Sequence, residues 1–168
     1  MVYILSGDGR DDDFPDGVNA AYERYRNYLK QNEAIFPPRA YALATSDWFH
    51  NPKDHRAPHD AWLESFQMSE TSERQQHERS CSISLRLLGS QHNGHIEITY
   101  PKVFSYSLLS FGPDMVKSHG DWRYDEFRLS KRGHLIHEIE WAGAPGRADK
   151  AFSWTIEAAD IDFSFVYG

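Results

Sequence analysis

From about Ala61 onward the chain changes to stretches in which apolar residues return at every second position, and this period of two decides most of what the chain can become. Cys81, Ile83, Leu85 and Leu87 alternate with Ser82, Ser84 and Arg86, the pattern of a strand with one buried and one solvated face. Gly89 to Gly94 reads as a turn, after which Ile96, Ile98 and Tyr100 alternate with His95, Glu97 and Thr99. Pro101 has no N–H to give a ladder, so the strand bends there or runs at an edge. Phe104, Tyr106 and Leu108 extend it until Gly112 and Pro113 end the unit. Trp122 to Leu129 and His134 to Trp141 form the next pair, joined by Ser130 to Gly133. Phe152, Trp154 and Ile156, then Ile161, Phe163 and Phe165, add two more stretches, with a Gly-, Ala- and Pro-containing loop before them at 143–149. Six or seven short strands with turn-length gaps predict a mostly antiparallel sheet, curled or folded into a sandwich.

The first third follows another rhythm. Val18, Ala21, Tyr22, Tyr25, Tyr28 and Leu29 recur at steps of three and four, which places them on one face of a helix. Asp16 stands where a helix cap would, and Pro37 and Pro38 lie beyond the end. Val2 to Leu5 suits a short strand, while Ala40 to Phe49 fits a short helix or a strand and periodicity does not decide between them. The expected fold is α+β, with an N-terminal helix packed on one face of the sheet. The 168 residues suit one domain, helical and looped over 1–60 and β-rich over 61–168.

Composition narrows the function classes. A chain that is 14% aromatic can bury a sizeable core and is no disordered segment. Its net charge of −7 argues against nucleic acid, whose phosphates call for clustered Lys and Arg. Most of that charge is local: Asp8, Asp11, Asp12, Asp13 and Asp16 stand against Arg10 alone. The aspartates do not fit a calcium loop, because counting from Asp11 puts Pro15 at the third acidic position and Tyr22 at the twelfth. Helix-end electrostatics explain them more simply. Cys81 is the one cysteine, so no internal disulfide or multi-cysteine zinc site is expected, and a structural thiol is the default. Ala40 to Ala44 is the longest wholly apolar run, too short for a membrane span, and the acidic start is unlike a signal peptide. A cytoplasmic protein is the expectation.

Two places carry candidate chemistry. The loop HNPKDHRAPHD holds His50, His55, His59 and Asp60, all residue types that ligate transition metals, although no HExxH spacing forces them together. The second place is residues 119–141. A four-residue connection at Ser130 to Gly133 would set Leu129 opposite His134, Trp122 opposite Trp141, Tyr124 opposite Ile139 and Glu126 opposite His137, all favourable pairs. It would also set Asp125 opposite Glu138, tolerable if the face is solvated or if Arg123 or Arg128 lies between them. His134 and His137, three apart on a strand, point to opposite faces and cannot chelate one ion. His137 with Glu126 is then a buried histidine–carboxylate pair, structural in most proteins and catalytic in some. Glu138 and Glu140, with Asp125, offer a carboxylate pair of glycosidase type, for which solvation of a sheet face is the simpler account. No nucleophile elbow, phosphate loop or dinucleotide fingerprint occurs.

The order HDAWLESF (His59 to Phe66), ISLRL (Ile83 to Leu87), IEITYPKVFSYSL (Ile96 to Leu108), HGDWRYDEFRL (His119 to Leu129), HEIEW (His137 to Trp141) and WTIEAADIDFSF (Trp154 to Phe165) resembles uncharacterised domains among the immunity-like proteins of bacterial toxin systems. The resemblance implies a small acidic β-rich binder without enzymatic activity, and no cofactor is expected. The leading expectation is therefore a non-enzymatic protein-binding or regulatory domain, its acidic surface suited to a basic protein partner. Two alternatives stand beside it. One is a small metal-dependent or acid–base hydrolase using the His50, His55 and His59 loop or Glu126 with His137. The other is a small-ligand carrier with the sheet curled around an aromatic pocket.

Overall fold

A computed structural model describes residues 2–5, 16–72, 79–109, 119–142 and 152–168. The tyrosine stripe forms helix α1, Asp16–Asn32, burying Ala21, Tyr25 and Leu29. A single 3-10 turn at Glu33–Ile35 follows, and helix α2 begins at Pro38 and runs to Ala44. Proline suits a first helical position because the N–H it lacks would have no partner there. The ambiguous stretch thus begins as helix and ends in turns. The aspartates at 8–13 lie outside the described residues.

Seven strands follow: β1 Trp62–Ser72, β2 Arg79–Leu88, β3 Gly94–Leu108, β4 Trp122–Leu129, β5 Leu135–Trp141, β6 Phe152–Ala158 and β7 Asp162–Tyr167. They pair antiparallel in the order β1-β2-β3-β6-β5-β4, with β7 attached to β3. The α+β expectation of a helix packed with an antiparallel sheet holds. The sheet is not closed, although an isolated bridge joins Trp62 to Asp121, just before β4.

The long strand β3 organises the sheet. From Gly94 to Thr99 one of its edges pairs with β7, and from Val103 to Leu108 the same edge pairs with β6. Pro101 falls in the gap between the two partners, where the missing N–H costs no ladder bond. Alternation does the rest: Ile83, Leu85, Leu87, Ile96, Ile98, Tyr100, Leu135, Ile139 and Ile156 are all buried on the inner side. Trp122, Trp141 and Trp154 join them, with Trp141 edge-on to both neighbours.

Two expectations are corrected. Residues 2–5 are not a strand but a turn. The β4–β5 register also differs by one residue over most of its length. Gly133, with φ at +79°, takes a left-handed conformation that glycine adopts freely, and the connection extends to His134. Leu129 therefore faces Leu135, Phe127 faces His137, and Glu126 faces Glu138. A bulge between Trp122 and Tyr124 absorbs the slip, so the expected Trp122–Trp141 pair survives.

Candidate functional site

The histidine loop is a chain of tight turns. Asn51 N–H bonds to Trp48, Asp54 N–H to Asn51, Ala57 N–H to Asp54, and Ala61 N–H to Pro58. Asp54 staples the middle by accepting from the Arg56 guanidinium at 2.9 and 2.8 Å, which holds its carboxyl down at about 2. Asp60 has φ of 63°, a conformation aspartate tolerates, and its N–H bonds to the Trp122 carbonyl at 2.8 Å. At the head of the loop the Phe49 ring stacks on Phe127 and meets Phe163 edge-on. That anchor turns the next side chain, His50, toward β4.

His50 Nε2 lies 3.6 Å from Oδ2 of Asp125, a carboxylate that is 3% exposed. The same oxygen is 3.1 Å from His137 Nε2, and Trp122 Nε1 donates to Oδ1 at 3.1 Å. His137 Nδ1 in turn lies 2.6 Å from the Tyr100 hydroxyl. One proton arrangement satisfies this chain. Burial opposes the charged form of Asp125, yet the donors His137 and His50 outweigh it and hold the carboxyl below its usual range. Burial pushes His137 down and Tyr100 well up, so both are neutral near pH 7. Tyr100 then donates to Nδ1 of His137, whose Nε2–H donates to Asp125. The relay Tyr100–His137–Asp125 ends on the carboxylate oxygen that faces His50 Nε2, a buried nitrogen 3.6 Å away with no hydrogen-bond partner among the described residues.

His50 opens onto a cleft of about 1240 Å³ between α1, the end of α2, the histidine loop and the start of β4. Tyr22, Tyr25 and Tyr124 supply aromatic wall, with Arg26 and Lys30 along the helix. Tyr22 and Tyr25 meet the His50 ring edge-on at 5.5 and 5.8 Å. The hydroxyls of Thr45 and Ser46, also on the wall, bond to the carbonyls of Tyr41 and Leu43 at 2.7 Å.

The loop histidines part company here. His50 and His59 line the cleft, with His59 Nδ1 3.2 Å from Asp60 Oδ2. His55 turns outward, its Nε2 3.1 Å from the Tyr167 hydroxyl. Among the described residues, no three His, Cys, Asp or Glu side chains gather as a metal-binding group. Glu126 does not meet His137; the register difference puts it on the opposite face of β4. Its Oε2 accepts N–H groups from Tyr3, Ile4 and Leu5 at 2.9, 2.7 and 3.3 Å, and its Oε1 lies 2.8 Å from Arg128 Nε. Burial pushes its carboxyl up, against the pull of those donors. Arg128 also pairs with Glu138, so it bridges two acids that face each other across the ladder. Glu140 lies 3.6 Å from Arg123, leaving Asp125 apart from both. On β4, β5 and β6 the buried rings of Trp122, Trp141 and Trp154 pack edge-on against one another.

Nothing in the sequence pattern marks Asp125 as a buried acid or Tyr100 as a donor. A bulge at Arg123 is what turns Asp125 inward, and neither period nor residue type announces it. The chain matches no family model, no curated protein and no solved structure in the comparisons made.

Proposed function

We propose that the protein binds a small organic ligand with a planar aromatic part, and that the cleft above His50 is its site. The supporting observation is the lining: tyrosine rings from two separate elements flank a histidine with a buried carboxylate 3.6 Å behind it. A concave site with aromatic walls and a few convergent polar groups is the usual form of a small-molecule pocket. Arg26, Lys30 and Arg123 share the lining with Glu33, Asp47 and Asp60, so charged groups of both signs are on hand to orient a ligand. This keeps the binding role expected from the sequence and moves it from a protein partner to a small ligand. A basic protein partner remains the second proposal; the acidic stretch that motivates it, 8–13, lies outside the described residues.

The test is a ligand-observed NMR screen with a set of aromatic carboxylates and their uncharged analogues, run on the protein and on Tyr22→Ala and Tyr124→Ala. Binding that both substitutions weaken about tenfold, the loss of roughly 1.4 kcal/mol, supports the cleft. Binding that neither substitution alters, or no binding across the set, overturns it.

A further inference from the structure

We propose that His50 is an acid–base group, and that the cleft takes aromatic substrates carrying an acidic C–H or O–H bond. This rests on the ligand-binding reading above and adds chemistry to it. The argument is geometric. His50 lies at the junction of two environments: its Nε2 edge is buried against Asp125, while the side chain lines the cleft and remains 13% exposed. Nε2 of His50 is buried and has no hydrogen-bond partner among the described residues, Asp125 Oδ2 standing 3.6 Å away, so the ring is placed by packing and by that carboxylate's charge and is not tied by a hydrogen bond.

Behind the imidazole stands a fixed carboxylate, 3.6 Å from Nε2. Asp125 is fixed by Trp122 through one oxygen and by His137 through the other, and His137 is fixed by Tyr100. The carboxylate therefore cannot rotate away without breaking two buried hydrogen bonds. A fixed carboxylate beside an imidazole is the arrangement in which a histidine serves as a general base. The wall hydroxyls of Thr45 and Ser46 are committed to backbone carbonyls, which favours proton transfer over attack by a protein hydroxyl. His50 is the catalytic residue in this proposal, and Asp125 is a positioning residue.

The test uses nitrobenzisoxazole, a planar aromatic whose acidic ring C–H reports on a protein base. The base takes that proton, the C–H electron pair forms a nitrile, and the N–O bond breaks to leave a coloured cyano-nitrophenolate. No further reactant is needed. The protein should accelerate this elimination above an equal concentration of free imidazole. His50→Gln should reduce the rate about tenfold or more, the scale of a lost general base, and His55→Gln should leave it unchanged. Asp125→Asn should lower kcat and leave KM for the probe in place, whereas a merely structural role would move both. If that variant does not fold, His50→Gln at its partly exposed position still decides. Probe binding is followed separately by its NMR line broadening. Binding without acceleration, or an equal rate in His50→Gln, overturns the acid–base role and leaves the ligand-binding reading standing. Neither binding nor reaction overturns the proposed substrate class, while the carboxylate screen decides the binding reading on its own.

Discussion

The hydroxyl of Tyr25 is bonded twice to one residue: it accepts the N–H of Phe127 at 2.7 Å and donates to the same residue's carbonyl at 3.1 Å. Phe127 lies on β4, the last strand of the sheet path, where backbone groups point away from the ladder. Tyr28 repeats the device one helical turn later, its hydroxyl accepting the Leu129 N–H at 2.8 Å. The helix thus protects a sheet edge that would otherwise bury unpaired backbone or template another chain. Two residues that the sequence marks only as helix stripe serve as strand partners.

Tyr25→Phe keeps the ring and removes both bonds. It should destabilise the protein by about 2 kcal/mol, since a buried N–H and C=O both lose their partner. Urea denaturation measures this; a change within about 0.5 kcal/mol would mean that the edge is satisfied some other way.

His137 gives stability a pH slope. Burial holds its folded value below the ordinary 6.5, so the folded state resists the proton that the unfolded state accepts. Stability from this group is complete above about pH 6.5 and declines as pH falls below it. His119, lowered by burial, adds to the same slope. Asp125 continues it in stronger acid, because its depressed carboxyl contributes above its ordinary 3.8 and loses that contribution as pH falls through the folded value. Glu126 acts in the opposite sense: burial raises it above 4.5, so its contribution is complete below that pH and declines through the raised value. The loss of stability between about pH 7.5 and 5.5 should be smaller in His137→Gln than in the parent protein. Equal slopes by denaturant titration would remove His137 from the account.

Glu126→Ala takes away the acceptor shared by the N–H groups of Tyr3, Ile4 and Leu5. Amide exchange at these three positions should speed up more than at Ile83 or Ile98 in the core. The accompanying loss of stability should be about 1–3 kcal/mol. Unchanged protection at residues 3–5 would show that the segment is held by its ring contacts instead, such as Tyr3 stacked on Tyr28.

Gly94 lies where β3 meets the end of β7. A Cβ there would come 2.6 Å from the Val166 carbonyl oxygen and 2.6 Å from the Phe165 ring. Because the oxygen belongs to the backbone, β7 itself must shift. Gly94→Ala should cost about 1–3 kcal/mol and perturb Phe163 to Tyr167 in the NMR spectrum. Shifts confined to residue 94 and its chain neighbours would contradict that reading.

What the sequence determined by itself is local. Alternation at Ile83, Leu85 and Leu87 or at Ile139 and Trp141 assigns each side chain to a face, because a strand has a fixed period of two. The stripe from Val18 to Leu29 assigns a helix for the same kind of reason. The pairing of Trp122 with Trp141 was legible too, although the register beneath it was not. One left-handed glycine at 133 lengthens a turn, one bulge at Arg123 takes the slip back, and between them the acid that meets His137 changes from Glu126 to Asp125. Neither irregularity has a signature in the alternation. The cleft needed still more: His50 reaches Asp125 across 75 residues of chain, and Tyr25 reaches Phe127 across 102. Such contacts depend on where whole elements come to rest. Only the tertiary structure could decide them, because the distance between two side chains far apart in sequence is the sum of every turn and register between them.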